Sequence, residues 1–193
     1  MPKTSKSRLR WLQQGLEILA EAGIGGVTIE SLSTRLLLSK GSFYHHFQGM
    51  ADYRQALLAY FEERESQDFL QRANAAPEPA GVPRLQHLVA DVMSAEGGRF
   101  DLEDAVRSWA SNDPVARGYL DRIDRTRIEF LQQQFEAMKL EPQTAADFAR
   151  IAHLVSIGAA RATPPLAAPD VVRLWDLLLT AAAGFASGGV PGR

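Results

Sequence analysis

The sequence predicts an all-α protein, with an N-terminal three-helix head of helix-turn-helix type and a larger helical body, about nine helices in all. Three observations predict it. Apolar residues recur at helical spacing along most of the chain, and no segment sustains the strict alternation of a strand. Glycine and proline clusters separate these segments: "GIGG", "ANAAPEPAGVP", "ATPPLAAPD" and "SGGVPGR". Residues that cap helices, Thr28, Ser39 and the "SNDP" stretch, stand where new segments begin.

Each element follows in order. Leu12, Leu16, Leu19 and Gly23 share one face of a first helix from about Ser7 to Ala22, which "GIGG" ends because glycine accepts left-handed backbone. Thr28 caps a second helix whose Ile29, Leu32 and Leu36 face inward. Ser39 caps a very short third one, anchored by Phe43 and Phe47 one turn apart. A fourth starts near Met50, buries Tyr53, Leu57, Tyr60 and Phe61, and runs towards Arg72. After a proline-rich loop, further helices are expected near 84–96, 101–111, 114–139, 143–160 and 170–186, the third of these opened by a cap followed by proline.

Composition narrows the function. The chain has 193 residues, no cysteine and no apolar run near the ~18 residues a membrane span requires. Disulfides, thiolate metal sites and cysteine nucleophiles are therefore excluded, a cytoplasmic location is expected, and the basic start "MPKTSKSRLR" does not read as a secretory signal. Net charge is −2, yet residues 1–54 carry seven Lys/Arg against four acidic residues. A basic head on an acidic body has the sign of a phosphate-binding end.

Enzyme signatures are missing. "GIGG" ends a helix and follows no strand, so it is not a phosphate loop. No glutamate has a histidine three residues on, no serine sits in a Gly-x-Ser-x-Gly elbow, and the adjacent His45 and His46 diverge by about 100° on a helix. No catalytic residue, metal ligand or cofactor is assigned.

Residues 28–47, "TIESLSTRLLLSKGSFYHHF", supply a supporting helix, a tight turn and a second helix with an exposed start. Phe43 and Phe47 fix that helix to the head, which leaves Lys40, Gly41, Ser42, Tyr44 and His45 outward. Lys40 donates to guanine O6/N7 or phosphate, and Ser42 to a base edge or phosphate. Gly41 lets the backbone come close, while Tyr44 and His45 suit phosphate oxygens. The same composition also fits a short surface helix with an ordinary polar face.

From Leu9 to about Phe61 the chain resembles the TetR (tetracycline repressor) family of bacterial transcription regulators. The residues that carry this are "AEAGIGGVTIESL", "LSKGSFYHHF" with its aromatic-Tyr-x-His-Phe order, and "ALLAYF". The resemblance implies a DNA-binding domain over 1–50 and a ligand-binding and dimerisation domain over 51–193. It implies a homodimer that binds a double-stranded operator and leaves it when a small molecule enters the body. By position, Lys40, Gly41 and Ser42 fall where the family reads bases, Tyr44, His45 and His46 where it grips phosphates, and Thr28 and Ser39 beside them. The sequence departs from the family at three places: Leu37 replaces the usual turn glycine, Met50 replaces a frequent lysine for which Arg54 one turn later substitutes, and Glu30 is acidic on the supporting helix.

In the body, His87, Met93, Phe100, Trp109, Phe130, Phe135 and His153 are the candidate pocket residues for an apolar or amphipathic effector, each with plain core as the alternative. Ala145, Ala149, Ala152, Ser156 and Ala159 form a stripe of small residues. With Leu174, Trp175, Leu178, Ala182 and Phe185 of the last helix they are expected at a two-fold interface, unless their own domain covers them. With Lys3, Lys6, Arg8, Arg10, Lys40 and Arg54 doubled in a dimer, DNA binding would be steeply salt-dependent. The competing reading is a dimeric helical module that binds small molecules or proteins but no longer DNA. A membrane role is not expected.

Overall fold

A computed structural model describes residues 6–75, 77–94 and 98–188, except the side chains of 98–100. Nine helices and no strand occur among the described residues. They are α1 (Lys6–Gly26), α2 (Ile29–Leu36), α3 (Lys40–His46), α4 (Met50–Ala75), α5 (Val82–Ser94), α6 (Gly98–Ala110), α7 (Pro114–Ala137), α8 (Pro142–Arg161) and α9 (Ala168–Ala186). No described helix is long and apolar enough to cross a membrane.

The chain forms two compact units, neither contiguous in sequence. One takes residues 1–65 and 97–122, the other 66–96 and 123–193, and α4 and α7 give residues to both. In the first unit α1 packs more extensively on α6 than on α2. The inward faces read from the sequence hold in part: Leu12, Leu16, Leu19, Leu32, Tyr53, Leu57 and Phe61 are buried, while Ile29, Leu36 and Tyr60 are half-buried. Leu102, Val106 and Trp109 of α6 join this core.

The first helix does not stop at Ala22. Gly23 turns left-handed (φ 66°, ψ −176°) and breaks the helix, and one further turn follows before Val27, whose N–H donates to the Ile24 carbonyl at 3.2 Å. "GIGG" is therefore a kink and a last turn, not a plain end. Thr28 closes the junction with a capping box. Its hydroxyl accepts from the Ser31 N–H at 3.1 Å, and the Ser31 hydroxyl accepts from the Thr28 N–H at 3.1 Å.

In the second unit α9 packs against α8 and α5. Its core holds Phe130, Phe135, Phe148, Val171, Trp175 and Leu179, among others. Ala145, Ala149, Ala152 and Ala159 are buried inside this same unit, as are Trp175 and Ala182. The four alanines of the small-residue stripe are thus packed within the chain, the alternative left open by the sequence. Of the other expected interface residues, Leu174 and Leu178 are half-buried, and Ser156 and Phe185 are exposed. Leu154 on α8 and Leu177 on α9 are 65% and 59% exposed.

Candidate nucleic-acid interface

The second helix of the helix-turn-helix, α3, has only seven residues, too few to persist alone, so its neighbours must hold it. Phe43 and Phe47 do this. The Phe43 ring meets Trp11 edge-on at 5.5 Å and Tyr53 at 5.4 Å, and Phe47 meets Tyr53 at 4.9 Å. Both phenylalanines are buried, and Arg8 lies 4.9 Å over the Phe47 ring. The cluster is locked by Tyr53, whose hydroxyl donates to the Trp11 carbonyl at 2.7 Å. Burial pushes the Tyr53 phenol well above its ordinary pKa.

At the start of α3 the Ser39 hydroxyl accepts from the Ser42 N–H at 3.2 Å, so Ser39 is the N-cap. Ser39, Lys40, Gly41, Tyr44 and His45 are exposed, and Ser42 and His46 are half-buried. A β-carbon on Gly41 would meet only the Ser39 hydroxyl, at an ordinary 3.6 Å, so nothing inside the chain demands glycine there. His46 Nε2 lies 2.9 Å from the Ser7 hydroxyl, which ties the end of α3 to the start of α1. Burial, then the charges of His45 and Arg8, push the His46 pKa below its ordinary value. Neither the Ser7 contact nor the Arg8 contact was legible in sequence, because both pair residues about forty positions apart.

Thr28 is exposed at the head of α2 while its hydroxyl caps the helix. Glu30 is exposed on the same turn, and Arg35 near the other end is paired with Glu21 at 2.5 Å. Arg54 is exposed on α4 and borders a cleft of about 650 Å³ in the first unit, alongside Asp101, Asp104, Trp109 and Asp113. Asp113 caps α7, as the "SNDP" stretch suggests. The Ala116 N–H and the Trp109 indole N–H hold its carboxyl below the usual range, and Arg54 adds a smaller share. Arg54 therefore has acidic neighbours on its own unit. Lys3 lies outside the described residues.

The pocket candidates are divided between the two units. Trp109 belongs to the first unit and binds Asp113, and the Phe100 side chain lies outside the described residues. The others belong to the second unit. Phe130 and Phe135 are buried core, Met93 is partly buried against that core, and His87 faces Glu78 at 3.4 Å. His153 is buried with Nε2 3.4 Å from an Asp124 carboxylate oxygen, but without hydrogen-bond alignment. Among the described residues no cluster of three or more histidines and carboxylates is placed to hold a metal.

Residues 12–62 match the family model of bacterial regulatory proteins of the tetR family. The transcriptional regulator AcuR of Cereibacter sphaeroides is 34% identical over 73 residues, 36% of this chain. That stretch is 33% of AcuR, about a third of its length. Over nearly the whole chain the fold is similar to a Rhodococcus transcriptional regulator (TM-score 0.73, 16% identity, 97% of this chain and 100% of that one). It is also similar to Escherichia coli NemR in its reduced form (TM-score 0.72, 18% identity, 90% and 98%) and to a TetR regulator of Legionella pneumophila (TM-score 0.67, 12% identity, 97% and 98%). At these identities the structural likeness is one of fold.

Proposed function

We propose, from the match of residues 12–62 to the model of the tetR family of bacterial regulatory proteins, that the chain is a homodimeric transcriptional regulator in the cytoplasm, a repressor that a small apolar or amphipathic molecule releases from its operator. The family and the curated relative are regulators, not enzymes. The observation that carries the reading is the exposed face of α3. Two buried phenylalanines aim Lys40, Gly41, Tyr44 and His45 at solvent, and Gly41 has no reason within the chain to be glycine. A glycine that the free protein does not require is what a close backbone approach to a duplex does require.

In this reading Lys40 and Ser42 contact bases, Tyr44, His45 and His46 grip phosphates, and Thr28 and Ser39 touch the backbone from helix starts. Two such helices in a dimer address half-sites about one turn, ~34 Å, apart. The dimer is supported by Leu154, Leu177 and Phe185, large apolar side chains left in water on α8 and α9. For the effector, His153 is the polar handle in an apolar unit, close to Phe148 and Ala152 in sequence and buried with them.

The test is fluorescence anisotropy against duplex from directly upstream of the gene, at two salt concentrations. Binding should be tight and fall steeply with salt, each phosphate contact adding ~0.9 to the log–log slope. Lys40→Ala and Tyr44→Ala should each lose roughly tenfold or more. If binding never exceeds that to random duplex, and selection from genomic fragments also fails, the dimeric module without DNA replaces this reading. Arg54 beside aspartates and the exposed Glu30 are what favour that second reading.

A further inference from the structure

Leu37 holds a place that suits it poorly. It ends α2 at φ 55° and ψ 40°, in the left-handed region where a β-carbon crowds the backbone and glycine does not. Its N–H donates to the carbonyls of Ser33 and Thr34, so the turn itself imposes this conformation. The side chain gains no burial in return, because it is 90% exposed, the most exposed large apolar residue described. A glycine would hold the same turn with less strain and less apolar surface in water. A side chain that costs stability in the free protein and touches nothing there finds its role in a bound state.

The neighbouring residues say which bound state. Leu37 lies two residues before the N-cap Ser39 and three before Lys40, so its Cα is within about 11 Å of the Lys40 Cα. A groove that receives Lys40, Gly41 and Ser42 brings its edge within reach of this side chain. Leucine has no donor or acceptor, so it gains nothing from phosphates or polar base edges. The apolar group that a major groove displays is the C5-methyl of thymine. We propose that Leu37 reads a thymine methyl in each half-site, beside the bases read from α3, and so sets part of the sequence specificity. This rests on the operator-binding function proposed above.

The experiment first selects half-sites from a random duplex pool with the full chain. Each thymine of the selected half-site is then replaced singly by deoxyuridine, which removes only the methyl group. At one position the wild-type protein should lose roughly fivefold or more in affinity. Leu37→Gly should bind the thymine and deoxyuridine duplexes equally, and should unfold at a higher temperature than wild type. Leu37→Asn, whose side chain tolerates left-handed backbone, should match Leu37→Gly on DNA. If a sequence is selected but no exchange of thymine for deoxyuridine separates wild type from Leu37→Gly, the inference is overturned and the operator reading stands. If no sequence is selected at all, both fall.

Discussion

His46 and Gly41 occupy adjacent turns of α3 and make opposite kinds of prediction. His46 takes up a proton less readily than a free imidazole: burial first, then the charges of His45 and Arg8, keep its folded pKa below the ordinary value near 6.5. Below that pH the unfolded chain binds the proton more readily than the folded one, so stability falls as pH drops through about 6.5. The loss levels off beneath the folded pKa. His46→Gln should flatten this acid limb of a melting-temperature profile, and parallel profiles for the two proteins would remove His46 from the account. Gly41→Ala tests the other direction. The β-carbon has room and alanine favours a helix, so stability should hold or rise by up to ~1 kcal/mol while operator affinity drops. Unchanged affinity on a properly selected duplex would mean that no backbone approach occurs at Gly41.

At the scale of elements, the contact between α1 and α4 sets how firmly α3 is presented. A β-carbon on Gly15 would stand 1.9 Å from the Tyr53 hydroxyl, an impossible separation, so α1 offers a bare backbone to the Tyr53 ring. Gly15→Ala should destabilise by on the order of 2–4 kcal/mol, through overpacking and loss of the bond to the Trp11 carbonyl. Tyr53→Phe alone should cost ~1 kcal/mol. The double variant should cost less than the sum, since removing the hydroxyl relieves part of the clash, and thermal melts of the four proteins would expose strict additivity if it held. Much of this region was legible beforehand. Thr28, Ser39, Phe43 and Phe47 announce caps and anchors because those signals are local, confined to one or two turns of helix. Gly15 gave no signal, since its meaning depends on a tyrosine 38 positions away. The kink at Gly23 was half legible: glycine marked the left-handed residue, but the further turn that follows it depends on Val27 finding the core.

At the scale of the molecule, the exposed apolar side chains of the second unit are where the proposed dimer would close. Small residues at helical spacing bring helices together whether or not the helices belong to one chain, so the alanine stripe of α8 could not disclose its partner in advance. The fold assigns the four alanines of that stripe to the chain's own packing and leaves Leu154 and Leu177 outside. Leu154→Arg with Leu177→Asp should yield monomers in sedimentation and weaken operator binding through loss of the second half-site. A dimer that survives both changes would put the interface elsewhere. The pocket nominees are divided for a related reason: aromatic residues mark a core without saying which core, and Trp109 belongs to a different unit from Phe130, Phe135 and His153.

The packing of α1 on α6 has a consequence for how such proteins diversify. The unit that presents α3 is assembled from two stretches of gene, residues 1–65 and 97–122, with some thirty codons of the other unit between them. A crossover near codon 65 would hand α1 a foreign α6 to pack against. A chimera that takes α1 to α3 from another protein must therefore carry α6 along or refit it to its new α1.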